Sequence, residues 1–206
     1  MIPNNIYTPE KYVVTNSHSF YKQLKSIIWQ DYLISKEIFE KNQKPFNSIK
    51  LLNAFISEKT ICFNPNLINI NSTDNYEIER QVQIGNGKAS HNIIDDLIIV
   101  SAIPEYEQLC MLAEKQFIDW WENDVVQIII SKYEGLDNAN SICQFARQLR
   151  NAFGHSKVNI KENLKSVDPV WCYLNLKQFN GKKVFDLMSL ADLVNFWIEF
   201  EDKELK

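Results

Sequence analysis

Apolar residues along this chain recur mainly at intervals of three and four, a periodicity that predicts a mainly α-helical protein. Phe20, Leu24, Ile27, Ile28 and Leu33 approximate the stripe of a helix over 17–43. Asn47 or Pro45 opens a second helix through Leu51, Leu52, Phe55 and Ile56. The pattern changes near 60–88. There ICFNPNLINI and YEIERQVQI carry β-branched residues, partial alternation and turn residues, which predicts an irregular β insertion or a long loop. Ser90 caps a helix through Ile93, Leu97 and Ile98, and Pro104-Glu105 fits the first turn of another. From Pro104 to Glu134 no Gly or Pro follows that first turn, so a long core helix ends near Gly135. Asp137 caps the next helix, whose stripe is Ile142, Phe145, Ala146, Leu149 and Phe153. WCYLNLKQF and KKVFDL then flank Asn180-Gly181, a two-residue hairpin signal. Ser189 with Asp192 resembles a capping box. It opens a final helix through Leu190, Leu193, Val194, Trp197 and Ile198 or Phe200. Residues 1–16, polar and carrying Pro3 and Pro9, read as a loosely held arm of one 206-residue domain.

Composition agrees with a single globular unit: 45% of residues are hydrophobic and 12% aromatic, with only five Gly and six Pro. Cys62, Cys110, Cys143 and Cys172 are too far apart for a CxxC pair or a zinc ribbon. MIPNNIYTPEK lacks the apolar core of a secretory signal, and Leu97–Ile103 and Val125–Ile130 are too short to span a membrane. The expectation is a cytoplasmic protein with free, mostly buried thiols.

Charge adds a local feature. The net charge of −4 argues against a broad nucleic-acid surface. Its distribution is uneven, however. Residues 1–130 hold 11 Lys/Arg and 16 Asp/Glu, 131–183 hold 9 and 4, and 184–206 hold 2 and 6, or −5, +5 and −4. The basic block surrounds one string, RNAFGH, from Arg150 to His155.

Each polar member of that string has a task in cutting a phosphodiester. Arg150 can hold a phosphate in its guanidinium fork. His155 can move a proton near neutral pH. Asn151 can orient either the phosphate or the attacking hydroxyl. This set needs no metal and no cofactor. Asn151 and His155 are four apart and share a helix face. Arg150 and His155 are five apart, roughly 140° around the axis. A straight helix brings them together only if the long Arg side chain bends back, if Gly154 re-aims His155, or if a second subunit supplies one of them.

An Arg, a polar residue, three more residues and then His, at the end of a helix in a helical protein, resembles the HEPN superfamily. The resemblance covers roughly Asp137 to Phe200. It implies a HEPN-like helical bundle and a metal-independent endoribonuclease, a toxin or antiphage defence effector. The implied reaction is attack of the RNA 2′-hydroxyl on the adjacent phosphate, leaving a 2′,3′-cyclic phosphate. His155 is then the general base or acid, Arg150 stabilises the phosphorane, and Asn151 positions the site. The resemblance also implies a homodimer with a composite site at its two-fold axis, and an antitoxin or regulatory partner. Some family toxins carry a Tyr two residues after the His; here Ser156 and Lys157 follow. Arg147 and Lys157 are the expected RNA-binding residues.

The plainer alternatives are an Arg150 paired with a carboxylate on a neighbouring helix, a His155 favoured by the helix dipole, and a noncatalytic helical module that binds RNA or a partner protein. IGNGKAS (84–90) lacks P-loop spacing, and adjacent Asp95-Asp96 diverge on a helix. His18 and His91 have no ligand-spaced partners, and Trp120-Trp121 reads as core.

Overall fold

A computed structural model of the chain describes residues 7–41, 50–52, 54–57, 59–63, 75–83, 104–159 and 167–206. They are mainly α-helical. In chain order the strands are β1 (Tyr7–Thr15), β2 (Lys50–Leu52), β3 (Lys59–Phe63), β4 (Asn75–Gln83), β5 (Val170–Trp171) and β6 (Leu174–Asn175). The α-helices are α1 (Tyr21–Lys41), α2 (Pro104–Trp120), α3 (Val126–Tyr133), α4 (Ser141–His155) and α5 (Leu190–Phe200). A π-turn, Trp121–Val125, joins α2 to α3, and a second, Glu201–Leu205, extends α5.

The core centres on α5. Residues Leu190 through Ile198 are buried all round the helix, the pattern of an element enclosed by its neighbours. Phe117 of α2 stacks on Trp197 at 6.0 Å and meets Phe153 of α4 edge-on at 5.3 Å. Phe20, just before α1, also stacks on Trp197, at 6.1 Å. Such rings bury large apolar areas, and truncating one costs about 3–5 kcal/mol.

The N-terminus of α5 is also where the sheet region docks. Asp192 is fully buried. Its Oδ2 accepts from Ser189 N at 2.8 Å, closing the predicted capping box, and from Phe55 N at 2.8 Å. Its Oδ1 accepts from Ile56 N at 3.1 Å and from Ser57 N and Oγ at 2.9 Å each. One carboxylate thus satisfies the backbone of the segment between β2 and β3. Those strands belong to an antiparallel sheet of order β1-β4-β3-β2, with Tyr7 opposite Gln83 and Thr15 opposite Asn75.

Several expectations change. Residues 7–15 are a full-length partner of β4 rather than part of a loosely held arm. The predicted second helix is replaced by β2 and the segment gripped by Asp192. The 60–88 region contains real strands, β3 and β4. Asn140, not Asp137, caps α4, accepting from Cys143 N at 3.1 Å. A hairpin does precede α5, but it turns at Cys172-Tyr173. Asn180-Gly181 instead links two 3₁₀ turns, Leu176–Phe179 and Val184–Asp186. The predicted Ser90 helix, IGNGKAS, His91 and Asp95-Asp96 lie outside the described residues. Among the described residues no helix is long and apolar enough to cross a membrane.

Candidate functional site

The stripe on α4 sets which of its residues reach the surface. Ile142, Phe145, Ala146, Leu149 and Phe153 are buried against the core. That leaves Arg147, Arg150 and Asn151 half-buried, and His155 exposed as the last helical residue. Gly154 does not break the helix. The left-handed residue is Ser156, at φ 63°. His155 therefore sits at the C-terminal end of the helix dipole, where a cation is favoured.

Arg150 does bend. Helical side chains usually lean toward the N-terminus. Here the guanidinium runs the other way, so that Nη1 lies 4.0 Å from where a Cβ on Gly154 would stand. Nη1 also donates to Asn151 Oδ1 at 3.4 Å. A Cβ on Gly154 would make only ordinary contact with the Arg150 head, which lies over the last turn, from which His155 extends.

The other edge of the guanidinium faces a carboxylate. Arg150 Nε donates to Glu122 Oε1 at 2.9 Å, and Nη2 donates to the same oxygen. Glu122 lies in the π-turn, whose cause is visible in the burial pattern. Leu109, Ala113, Phe117 and Trp120 form one buried stripe, and Trp121, Val125 and Ile129 form another, offset by one residue. One extra residue in the turn absorbs that offset, with Val126 N bonding Trp121 O five residues back. Trp120 and Trp121 are then both buried, as expected of core residues, and Glu122, Asn123 and Asp124 are exposed opposite them. Asp119 accepts from Asn123 Nδ2 at 2.8 Å and from Gln23 Nε2 at 3.0 Å, and Asp124 accepts from the same Gln23 amide at 3.2 Å. Glu122 is the member of this acidic group that reaches α4.

The remaining residues divide. Arg147 pairs with Asp137 at 2.7 Å. Lys157 is exposed just past the helix. Val158 N bonds Lys182 O at 2.9 Å, and Gly181 N bonds Val158 O at 2.8 Å. This pins the 180–183 turn beside the end of α4 and adds exposed Lys182 and Lys183 to the basic surface. Gly181 takes φ 82°, which suits glycine. Lys183 lies near Glu114 of α2. Burial pushes the Glu114 carboxyl up, and Lys183 only partly offsets it.

The other end of α4 carries a structural network. Glu204 accepts from Asn140 Nδ2 at 2.7 Å, Tyr133 OH at 2.9 Å and Lys132 Nζ at 3.0 Å. Burial and nearby Glu204 push the Cys143 thiol far up, which makes it unreactive. Cys110 and Cys143 are buried and Cys172 is exposed. His18 lies in the turn before α1, where its Nδ1 accepts from Thr15 N at 3.1 Å.

Sequence reasoning missed Glu122, Lys182 and Lys183. The Trp120-Trp121 pair, read with the one-residue jump in the apolar stripe, is the signal for Glu122. No comparable signal exists for the lysines, because two backbone hydrogen bonds bring their turn to α4. In comparisons with known proteins, no family model, no curated protein and no solved structure matches the chain at a significant level.

Proposed function

We propose that the chain is a metal-independent endoribonuclease of HEPN-like type, with Arg150, Asn151 and His155 as its working group. The observation that carries this is the bend of Arg150 along α4. A fixed cation, an amide and an exposed imidazole then lie over one helix end bordered by Lys157, Lys182 and Lys183. Arg150 stabilises charge on the phosphorane, Asn151 orients the phosphate or the attacking hydroxyl, and His155 transfers a proton. The substrate is RNA, because its 2′-hydroxyl supplies the nucleophile within the strand. A role as toxin or antiphage effector, with an antitoxin or regulatory partner, belongs to the same proposal, as does a cytoplasmic location.

A homodimer with a composite site is a separable part of it. The single-chain arrangement asks only for Arg150, Asn151 and His155 of one α4, with the Arg150 head lying beside Gly154. The second reading is a noncatalytic interaction module. It is favoured by the Arg150–Glu122 pair, the carboxylate partner that a purely structural arginine takes.

Cleavage of a labelled RNA in EDTA separates the readings. Cutting in chelator is expected, with 2′,3′-cyclic phosphate or its hydrolysis product at the new end. Loss in EDTA with recovery in magnesium or manganese replaces this chemistry with a metal mechanism. No cutting under any condition favours the interaction module.

A further inference from the structure

Cutting RNA without a metal requires two proton transfers, one from the 2′-hydroxyl and one to the leaving 5′-oxygen, and the Arg-Asn-His group contains one titratable side chain. We propose that Glu122 is the second: the general base that accepts the 2′-hydroxyl proton, with His155 as the general acid. This rests on the ribonuclease reading and gives its site a complete acid–base pair.

The geometry of Glu122 supports the role. Its Oε1 takes both Arg150 donors, and its Oε2 has no partner among the described residues. Its side chain is 45% exposed and that of Arg150 is 35% exposed, so a bound phosphodiester can reach both. The π-turn explains why the carboxylate stands at this point. Without the extra residue the Trp120 and Trp121 stripes do not both face the core, and the exposed face of the helix is set differently. Asp119 and Asp124 share its stretch of helix but are held by Gln23 of α1 and by Asn123. Arg150 is the charged group that meets it from α4, whose end carries His155.

The step balances. The 2′-hydroxyl proton passes to Glu122 Oε2 as the O2′–P bond forms. The P–O5′ bond breaks as His155, in its cationic form, gives a proton to O5′. The products are a 2′,3′-cyclic phosphate and a 5′-hydroxyl. As Glu122 becomes neutral it ceases to compensate Arg150. The full guanidinium charge is then available to the dianionic phosphorane at the moment that charge appears.

The test is the pH dependence of single-turnover RNA cleavage by wild type, Glu122→Gln, Glu122→Asp and His155→Ala. A bell-shaped wild-type profile is expected, rising as the carboxyl ionises and falling as the imidazole loses its proton. Glu122→Gln lowers the cleavage rate by about 10²–10⁴-fold and removes the rising limb, while Glu122→Asp recovers part of both. If Glu122→Gln cleaves at the wild-type rate or faster while His155→Ala is dead, the general-base assignment is overturned and the ribonuclease reading stands. The same holds if the rate drops but the rising limb persists, which makes Glu122 a positioning residue. If wild type does not cleave, both fall together.

Discussion

Asp192 shows how much one side chain can organise. Its two oxygens accept six hydrogen bonds, three from backbone N–H groups of Phe55, Ile56 and Ser57. Asp192→Ala leaves the buried N–H groups of Ile56 and Ser57 with no acceptor, and each orphaned group costs about 1–3 kcal/mol. The expected outcome is a chain that melts far below wild type or fails to fold, measured by thermal denaturation. Asp192→Asn is nearly as damaging, since its amide turns a donor toward donors. Arg150 is the contrasting case. It is partly exposed, and its ion pair with Glu122 is worth no more than about 1 kcal/mol. Arg150→Lys is therefore expected to leave stability nearly unchanged. It should reduce RNA cleavage sharply, because an ammonium cannot reproduce the planar fork. A large drop in stability with cleavage intact would assign Arg150 to the fold.

At the level of elements, long stripes and the Ser189–Asp192 capping box were legible, while the cap of α4 and tertiary pairing were not. α1, the long Pro104–Tyr133 rod, α4 and α5 follow from apolar spacing, and Ser189 with Asp192 announced the start of α5. Asn180-Gly181 misled because the signal is for a turn, and the segments it joins are 3₁₀ turns rather than strands. The actual hairpin turns at Cys172, at φ 51° without a glycine, so local chemistry did not mark it. Of the candidate site, the α4 residues could be read from the string RNAFGH. Glu122 and Lys182–Lys183 arrive from elsewhere in the chain. The π-turn extending α5 yields a prediction of its own. Burial alone raises the Glu204 carboxyl, but hydrogen bonds from Asn140, Lys132 and Tyr133 outweigh it and hold the group below its ordinary 4.5. The folded chain thus binds that proton more weakly than the unfolded chain. The stabilisation is present above about pH 4.5 and is lost as pH falls through the lowered value. Tyr133 runs the opposite way: burial first, then Glu204, push its hydroxyl from 10.0 up to about 12. Its contribution holds below pH 10 and is lost as pH rises through about 12. Urea midpoints across pH are expected to fall at both ends, with Glu204→Gln flattening the acid side.

The whole chain is acidic, and among the described residues Lys157, Lys182 and Lys183 form a basic group beside the end of α4. Arg147 and Arg150 are each neutralised by a neighbouring carboxylate, so pairing two copies along this face costs less repulsion than bare arginines impose. A dimer by light scattering is the expected outcome. A monomer that still cuts RNA removes the composite site and leaves the single-chain group in place. RNA binding is expected to weaken only modestly with salt. Changing Lys157, Lys182 or Lys183 to Glu should flatten the dependence of binding on log salt by about 0.7 for each phosphate no longer neutralised, read by anisotropy with a 2′-O-methyl oligonucleotide. An unchanged slope moves the RNA track elsewhere. Whether the end of α4 cuts RNA at all is decided by the single-turnover cleavage rate of His155→Ala in EDTA, beside wild type. His155 is exposed at the end of its helix, so the variant is expected to match wild type in circular dichroism and melting. Wild type is expected to cleave, and the variant to be slower by about 10²–10⁴-fold. A folded variant that cleaves at the wild-type rate contradicts the assignment of this site.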